Sequence, residues 1–184
     1  PICVMTHKIV AIAGSTRTES LHKQFTAAAA HEAERLGATA TVVDLSDFPM
    51  PLYDGDLEDA EGVPEAAHAL HALLADADVV FIASPEYNGG YTAVLKNAID
   101  WVTRVEKQVF QRPTVLAAAS PGKGGGTKGM AGLRTTLEHM RVPVVDEISV
   151  PGAGPGFADH PVVRALVRSA LESALDAEGL AVAS

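Results

Sequence analysis

Residues Val79-Val80-Phe81-Ile82-Ala83 are apolar on both faces of any strand they form. Such a strand belongs inside a sheet covered on both sides, the situation of parallel sheets between helical layers. The rest of the chain supplies that sheet and those layers. The β-branched run Lys8–Ile12 predicts a first buried strand, and Leu21, Phe25, Ala28, Ala29 and Leu36 follow as an apolar stripe at helical spacing. Gly37 ends that helix, and Ala38–Asp44 predicts a second strand. A long acidic, proline-containing connection over Leu45–Gly62 leads to a helix predicted over Pro64–Ala77, with Pro64 suited to its first turn. Beyond Ala83 the pattern gives a helix over Ala93–Val105, a strand over Thr114–Ala119 and a helix over Gly129–Met140. A last strand over Val142–Val150 and a helix over Pro161–Glu178 complete it. Strand and helix alternate five times. Right-handed crossovers then give a five-stranded parallel sheet with helices on both faces.

In the strand order 2-1-3-4-5, strands one, three and four are neighbours, and ligands of such sheets sit beyond the strands' carboxyl ends where the order reverses. The three loops that leave those strands are the unusual ones. The first, Gly14–Ser20, joins a strand to a helix whose opening N–H groups and positive dipole end are free. Ser15, Thr16, Thr18 and Ser20 add hydroxyls and Arg17 a forked cation, a set built to hold a phosphate. The plainer reading is that Ser20 caps the helix and Gly14 permits the turn. The loop lacks both the three-glycine dinucleotide pattern and the Gly-Lys-Ser/Thr ending of a P-loop, so a terminal phosphomonoester, as in a mononucleotide, fits it best. The second loop, Ser84–Tyr91, combines Pro85, two glycines and two tyrosines, and its backbone can read the edge of a flat heterocycle against Tyr87; otherwise it is a plain loop. The third, Ser120–Lys128, has four glycines around Lys123 and reads as a backbone that closes on a ring, or else as a flexible linker.

Bulk properties narrow the classes. A chain of 184 residues, 47% hydrophobic, is one ordinary globular domain with a full core. It contains no apolar run of about 18 residues, so no membrane span is expected. The net charge of −9 argues against nucleic acid or an anionic membrane as partner. Any bound phosphate must then be held by local donors against an unfavourable field. Pro1–Thr6 is too short and lightly charged for a secretory signal, and Met5 is a more natural start, with residues 1–6 read as a flexible extension. The single cysteine, Cys3, cannot form an internal disulfide, which favours a cytoplasmic address.

These three loops together resemble those of a known family. Gly14-Ser15-Thr16-Arg17-Thr18-Glu19-Ser20 looks like the phosphate loop of the NADPH-dependent FMN reductase family. Pro85-Glu86-Tyr87-Asn88-Gly89, running on to Leu95-Lys96-Asn97-Ala98-Ile99-Asp100-Trp101, is similar to that family's most specific signature. The match spans most of the chain, the Gly-rich third loop included. It implies a flavodoxin-like three-layer sandwich that binds FMN. Ser15, Arg17 and Ser20 would hold the phosphate, with Leu21 and His22 completing that end of the site. His22 departs from the Asn often found there, and a phosphate contact from it would depend on pH. Pro85, Glu86, Tyr87, Asn88 and Gly89 would border the isoalloxazine, and Ser120, Gly122 and Lys123 would approach its pyrimidine side, where Lys123 is placed to favour negative charge on the reduced ring. The implied activity is hydride transfer from NADPH, or NADH, through FMN to a small acceptor: a quinone, azo compound, flavin or metal oxyanion. The flavin carries the chemistry, so no side chain need act as acid or base.

The resemblance also implies a homodimer or homotetramer, and the helix carrying Leu95–Val105 fits this by being apolar over more than one face; alternatively Ile99 and Trp101 thicken the local core. No metal site is expected. His68 and His71 share a helical face without a third ligand, and Asp54, Asp56, Glu58 and Glu65 lack the central glycine of a calcium loop. The rival classes are a flavodoxin-type carrier of single electrons and a flavin-binding sensor without turnover.

Overall fold

The computed structural model describes residues 6–177; Cys3 and most of the expected N-terminal extension lie outside them. Five parallel strands form the sheet: β1 (Lys8–Ala13), β2 (Thr39–Asp44), β3 (Val79–Ala83), β6 (Thr114–Ser120) and β7 (Val144–Pro151), in the order β2-β1-β3-β6-β7. Counted as main strands this is the expected 2-1-3-4-5. A separate two-stranded hairpin, β4 (Glu86–Tyr87) and β5 (Gly90–Tyr91), stands beyond the end of β3.

The period-2 alternation of the central strands sorts side chains into two cores. On one face Val10, Ile12, Val80, Ile82 and Leu116 pack under α3 (Glu65–Ala75), α4 (Ala93–Val105) and α5 (Thr127–His139). On the other, Ile9, Ala11, Val79, Phe81 and Val115 pack under α1 (Leu21–Arg35) and α6 (Pro161–Ala177). Phe81 has no exposed surface, as its apolar-on-both-faces strand requires. Between α1 and α6 the buried Glu32 carboxylate accepts from Arg164 Nε at 2.7 Å and Arg168 Nε at 2.9 Å, which satisfies a charge that burial alone would make costly.

Three segments differ from the sequence expectation. The acidic connection contains a short helix, α2 (Gly55–Glu61), whose N-terminus is capped by Asp54 Oδ1 accepting from Asp56 N at 2.8 Å. It buries no side chain, so it leaves no apolar stripe to detect. The second loop is a tight hairpin: Asn88 and Gly89 have φ of 54° and 78°, the left-handed pair that a type I′ turn needs. Finally, the second apolar face of α4 is covered by the chain itself. Trp101 is fully buried, donates from Nε1 to Pro51 O at 2.7 Å and meets the Tyr53 ring edge-on at 5.0 Å. Asn97 clamps the same segment, accepting from Tyr53 N and donating to Pro51 O, both at 2.8 Å. Ile99 and Trp101 therefore thicken the core.

Candidate functional site

Strand order reverses between β1 and β3, and the loops leaving these strands and β6 meet there, as the topology requires. A cavity of about 290 Å³ opens at this point, lined by Ser15, Arg17, Ser20, Leu21, His22, Pro85, Glu86, Tyr87 and Ser120, all of them expected site residues. Asn88 and Gly89 lie at the exposed tip of the hairpin, and Gly122 and Lys123 on the exposed outer part of the third loop; none of the four lines the cavity. Glu19, Ala119 and Pro121 line it in addition.

A fourth loop also contributes. Ala153, Gly154 and Pro155, just after β7, close one side of the cavity. This loop is tied to the third by Ala153 N donating to Ser120 O at 2.8 Å and Gly152 N to Gly122 O at 3.0 Å. It is tied to α1 by Gly156 N donating to Gln24 Oε1 at 2.9 Å and by Phe157 packed edge-on against Phe25 at 4.9 Å. Its Pro-Gly composition marks a turn, but nothing local says that the turn faces a cavity.

The donor chemistry at the α1 end is specific. Ser15 Oγ accepts from Arg17 N at 3.3 Å, and Ser20 Oγ caps α1 by accepting from His22 N at 3.1 Å. Each hydroxyl oxygen thus already accepts a backbone N–H, which leaves its own proton free to donate. His22 is buried, and its Nε2 accepts from Ala119 N at 3.1 Å. An accepting Nε2 places the ring proton on Nδ1, a second use of one side chain that turns a donor towards its surroundings. Burial pushes the His22 imidazole down to about 4 from its ordinary 6.5. The ring is therefore neutral throughout the physiological range, and the pH dependence expected of it is displaced to acid pH. Two hydroxyl protons, a neutral imidazole, the Arg17 cation and the start of α1 surround one end of the cavity, and these suit a dianionic phosphate. Pro85, Tyr87, Ala119, Pro121, Ala153 and Pro155 also line the cavity and are mostly apolar, and these suit a planar ring. The residues present thus fit FMN, the group that the sequence resemblance implies.

Glu86 has a structural task as well as a place in the lining. Its Oε2 accepts from Lys128 N at 2.9 Å and Gly129 N at 3.1 Å, the first-turn donors of α5. That helix begins after Gly126, which has no side chain to cap it. Gly129 allows the approach, since a Cβ there would lie 3.0 Å from Gly90 O and 3.1 Å from Glu86 Cβ. Elsewhere, among the described residues, no group of three or more His, Cys, Asp or Glu side chains is placed to hold a metal ion. No helix there is long and apolar enough to cross a membrane.

The chain is similar to known proteins over most of its length. Residues 7–154 match the family described as NADPH-dependent FMN reductase. An NAD(P)H-dependent FMN reductase of Pseudomonas aeruginosa is 34% identical over 154 residues, covering 82% of this chain and 80% of that protein. A quinone reductase of Escherichia coli is 36% identical over 99 residues, covering 53% of each chain, so this second match spans about half of that relative. Among solved structures, a flavoenzyme NAD(P)H:(acceptor) oxidoreductase from Paracoccus denitrificans superposes with a TM-score of 0.70 at 22% identity, covering 93% of this chain and 98% of that one, and so shares the fold.

Proposed function

The chain belongs to the NADPH-dependent FMN reductase family, and from that premise we propose that it is an FMN-dependent NAD(P)H oxidoreductase acting on a small quinone-type acceptor. The observation that carries the reading is the donor set at the α1 end of the cavity, where Ser15 and Ser20 keep their hydroxyl protons free after accepting backbone N–H groups. FMN held there would supply the redox chemistry, taking hydride from reduced nicotinamide for delivery to the acceptor.

The protein's own residues bind, orient and screen. Ser15, Arg17, Ser20 and His22 hold the phosphate, and Leu21 brings the first turn of α1 against it. Pro85, Glu86 and Tyr87 flank the ring on the hairpin side, and Ser120 with Pro121 on the other. Tyr87 is 52% exposed beside the cavity mouth, so an aromatic face is offered to whatever planar molecule approaches the ring. Asn88 and Gly89 act by shaping the hairpin. Gly122 and Lys123 approach the ring only if the outer third loop folds inward over bound cofactor. Quinone-type acceptors are supported by the relative from Escherichia coli; NADPH is the favoured donor by family, with NADH as its alternative. The same reading puts the protein in the cytoplasm, where reduced nicotinamide is made, and makes it a homodimer or homotetramer.

The test is direct. Purified protein titrated with FMN should develop protein-bound flavin absorption and quench flavin fluorescence, and should then oxidise NADPH in the presence of a benzoquinone. Tight FMN binding without nicotinamide oxidation would instead favour a single-electron carrier or a sensor. No spectral response to FMN would remove the cofactor from the account.

A further inference from the structure

Gly14 is the residue at which the chain leaves β1 and enters the phosphate-side loop, and it is held from two directions. Its N–H donates to Ala83 O at 2.7 Å, continuing the β1–β3 ladder by one step. Its carbonyl accepts from the hydroxyl of Thr92, also at 2.7 Å, across 78 residues of sequence. A Cβ at Gly14 would lie 3.1 Å from both Leu95 Cδ2 and Ser84 Oγ, so the loop leaves the sheet pressed against the start of α4 with nothing between.

Thr92 is itself 3% exposed and caps α4, its Oγ1 accepting from Leu95 N at 3.3 Å. The donor and acceptor capacities of one hydroxyl are thus both used, in opposite directions. The peptide that carries the Gly14 carbonyl also carries the Ser15 N–H, and the two are rigidly coplanar. Fixing the carbonyl fixes the direction of that N–H and the start of the turn in which Ser15 Oγ accepts from Arg17 N. Thr92 also ends the β4–β5 hairpin that flanks the cavity.

We propose that Thr92 is a positioning residue for the phosphate end of the site: its hydroxyl, by holding the Gly14 carbonyl, sets the loop that presents Ser15 and Arg17 to the cofactor phosphate. This rests on the FMN reading above. Removal of the hydroxyl leaves the Gly14 carbonyl buried without its partner, and the peptide turns to find another. The phosphate donors move with it, while the ring walls, built on β6, β7 and the hairpin, keep their own anchors.

A pair of ligands separates this role from general loosening. Riboflavin has the ring and lacks the phosphate, so only FMN reports the phosphate end. Apoprotein titrated with each flavin, followed by fluorescence quenching, should show Thr92→Val binding FMN about tenfold more weakly, with riboflavin changed by no more than about twofold. Thr92→Ser, which keeps the hydroxyl, should restore FMN affinity. If Thr92→Val does not fold, Thr92→Ala against Thr92→Ser makes the same comparison. Equal weakening of both flavins in the hydroxyl-free variants, or unchanged FMN binding, would overturn the proposal. Wild-type protein that binds neither flavin would overturn the cofactor reading itself, a result that variants alone cannot produce.

Discussion

At the scale of single residues, Arg17 and His22 make contrasting contributions to one end of the cavity. Arg17 is exposed at the rim, and it is the only arginine or lysine among the residues that line the cavity. In a chain of net charge −9 it must counter the field as well as grip the ligand. A charge-assisted hydrogen bond contributes about 1.5–3 kcal/mol, so Arg17→Ala should weaken FMN binding roughly ten- to a hundredfold while riboflavin binding changes little. Equal affinity of variant and wild type for FMN, measured by fluorescence titration, would remove Arg17 from the site. His22 acts through burial instead. Unfolded, its imidazole takes up a proton near 6.5; folded, it does so only near 4. Between those values the unfolded state binds more protons, so His22 lowers stability as pH falls through that window and has no such effect above it. Urea unfolding of the apoprotein should therefore show wild type losing roughly 2 kcal/mol more than His22→Asn between pH 7 and pH 4.5. Parallel losses would mean that the ring is not held neutral. That His22 completes this end of the site follows from the family resemblance, but its tautomer does not. That depends on the backbone N–H of Ala119, 97 residues away.

At the scale of elements, the hairpin is tied to α5 through Glu86. Glu86 stands where α5 lacks a cap of its own, and its carboxylate takes two of the helix's free donors. Glu86→Ala should lower unfolding stability by about 1–2 kcal/mol, the range for loss of a helix cap, and Glu86→Gln, which retains an accepting oxygen, by less. Urea denaturation of the two variants checks this; identical stability of Glu86→Ala and wild type would show that water replaces the carboxylate without loss. These elements also show what a sequence can and cannot disclose. The five main strands and the helices between them follow from apolar runs and stripes that report burial directly, so β3 and α4 were recovered at their residues. Helix α2 buries nothing and so left only Asp54 as a signal. Pro85 and the two glycines mark a loop over Ser84–Tyr91, yet the pairing of Glu86 with Tyr91 is a property of two segments together. The apolar breadth of α4 is plain from its residues, but Pro51 lies 50 residues before Trp101 in a connection that is otherwise acidic, and nothing local shows that the Pro51–Tyr53 segment lies over that ring.

At the scale of the whole molecule, the cavity has no local existence. Its lining runs from Ser15 to Pro155 and is brought together by four loops leaving four different strands. The three loops read as a site in sequence were those with unusual composition; the fourth, after β7, needed the strand order to be placed beside them. A site assembled this way is absent from the unfolded chain, so a ligand that occupies it binds the native state alone and stabilises it by mass action. At a free FMN concentration about a hundred times its dissociation constant the gain is about 2.7 kcal/mol. In a domain of this size each kcal/mol moves the melting temperature by about 2–4 °C, so saturating FMN should raise it by roughly 5–10 °C. Riboflavin at the same concentration engages the ring walls without the hydroxyl, imidazole and guanidinium donors, and its shift should be clearly smaller. Because His22 is neutral well below pH 6, the difference between the two ligands should change little between pH 6.5 and pH 8. Differential scanning calorimetry with both flavins across that range makes the measurement. Equal shifts from FMN and riboflavin would mean that the phosphate is left in solvent, and that the donors gathered at the start of α1 serve only to cap the helix.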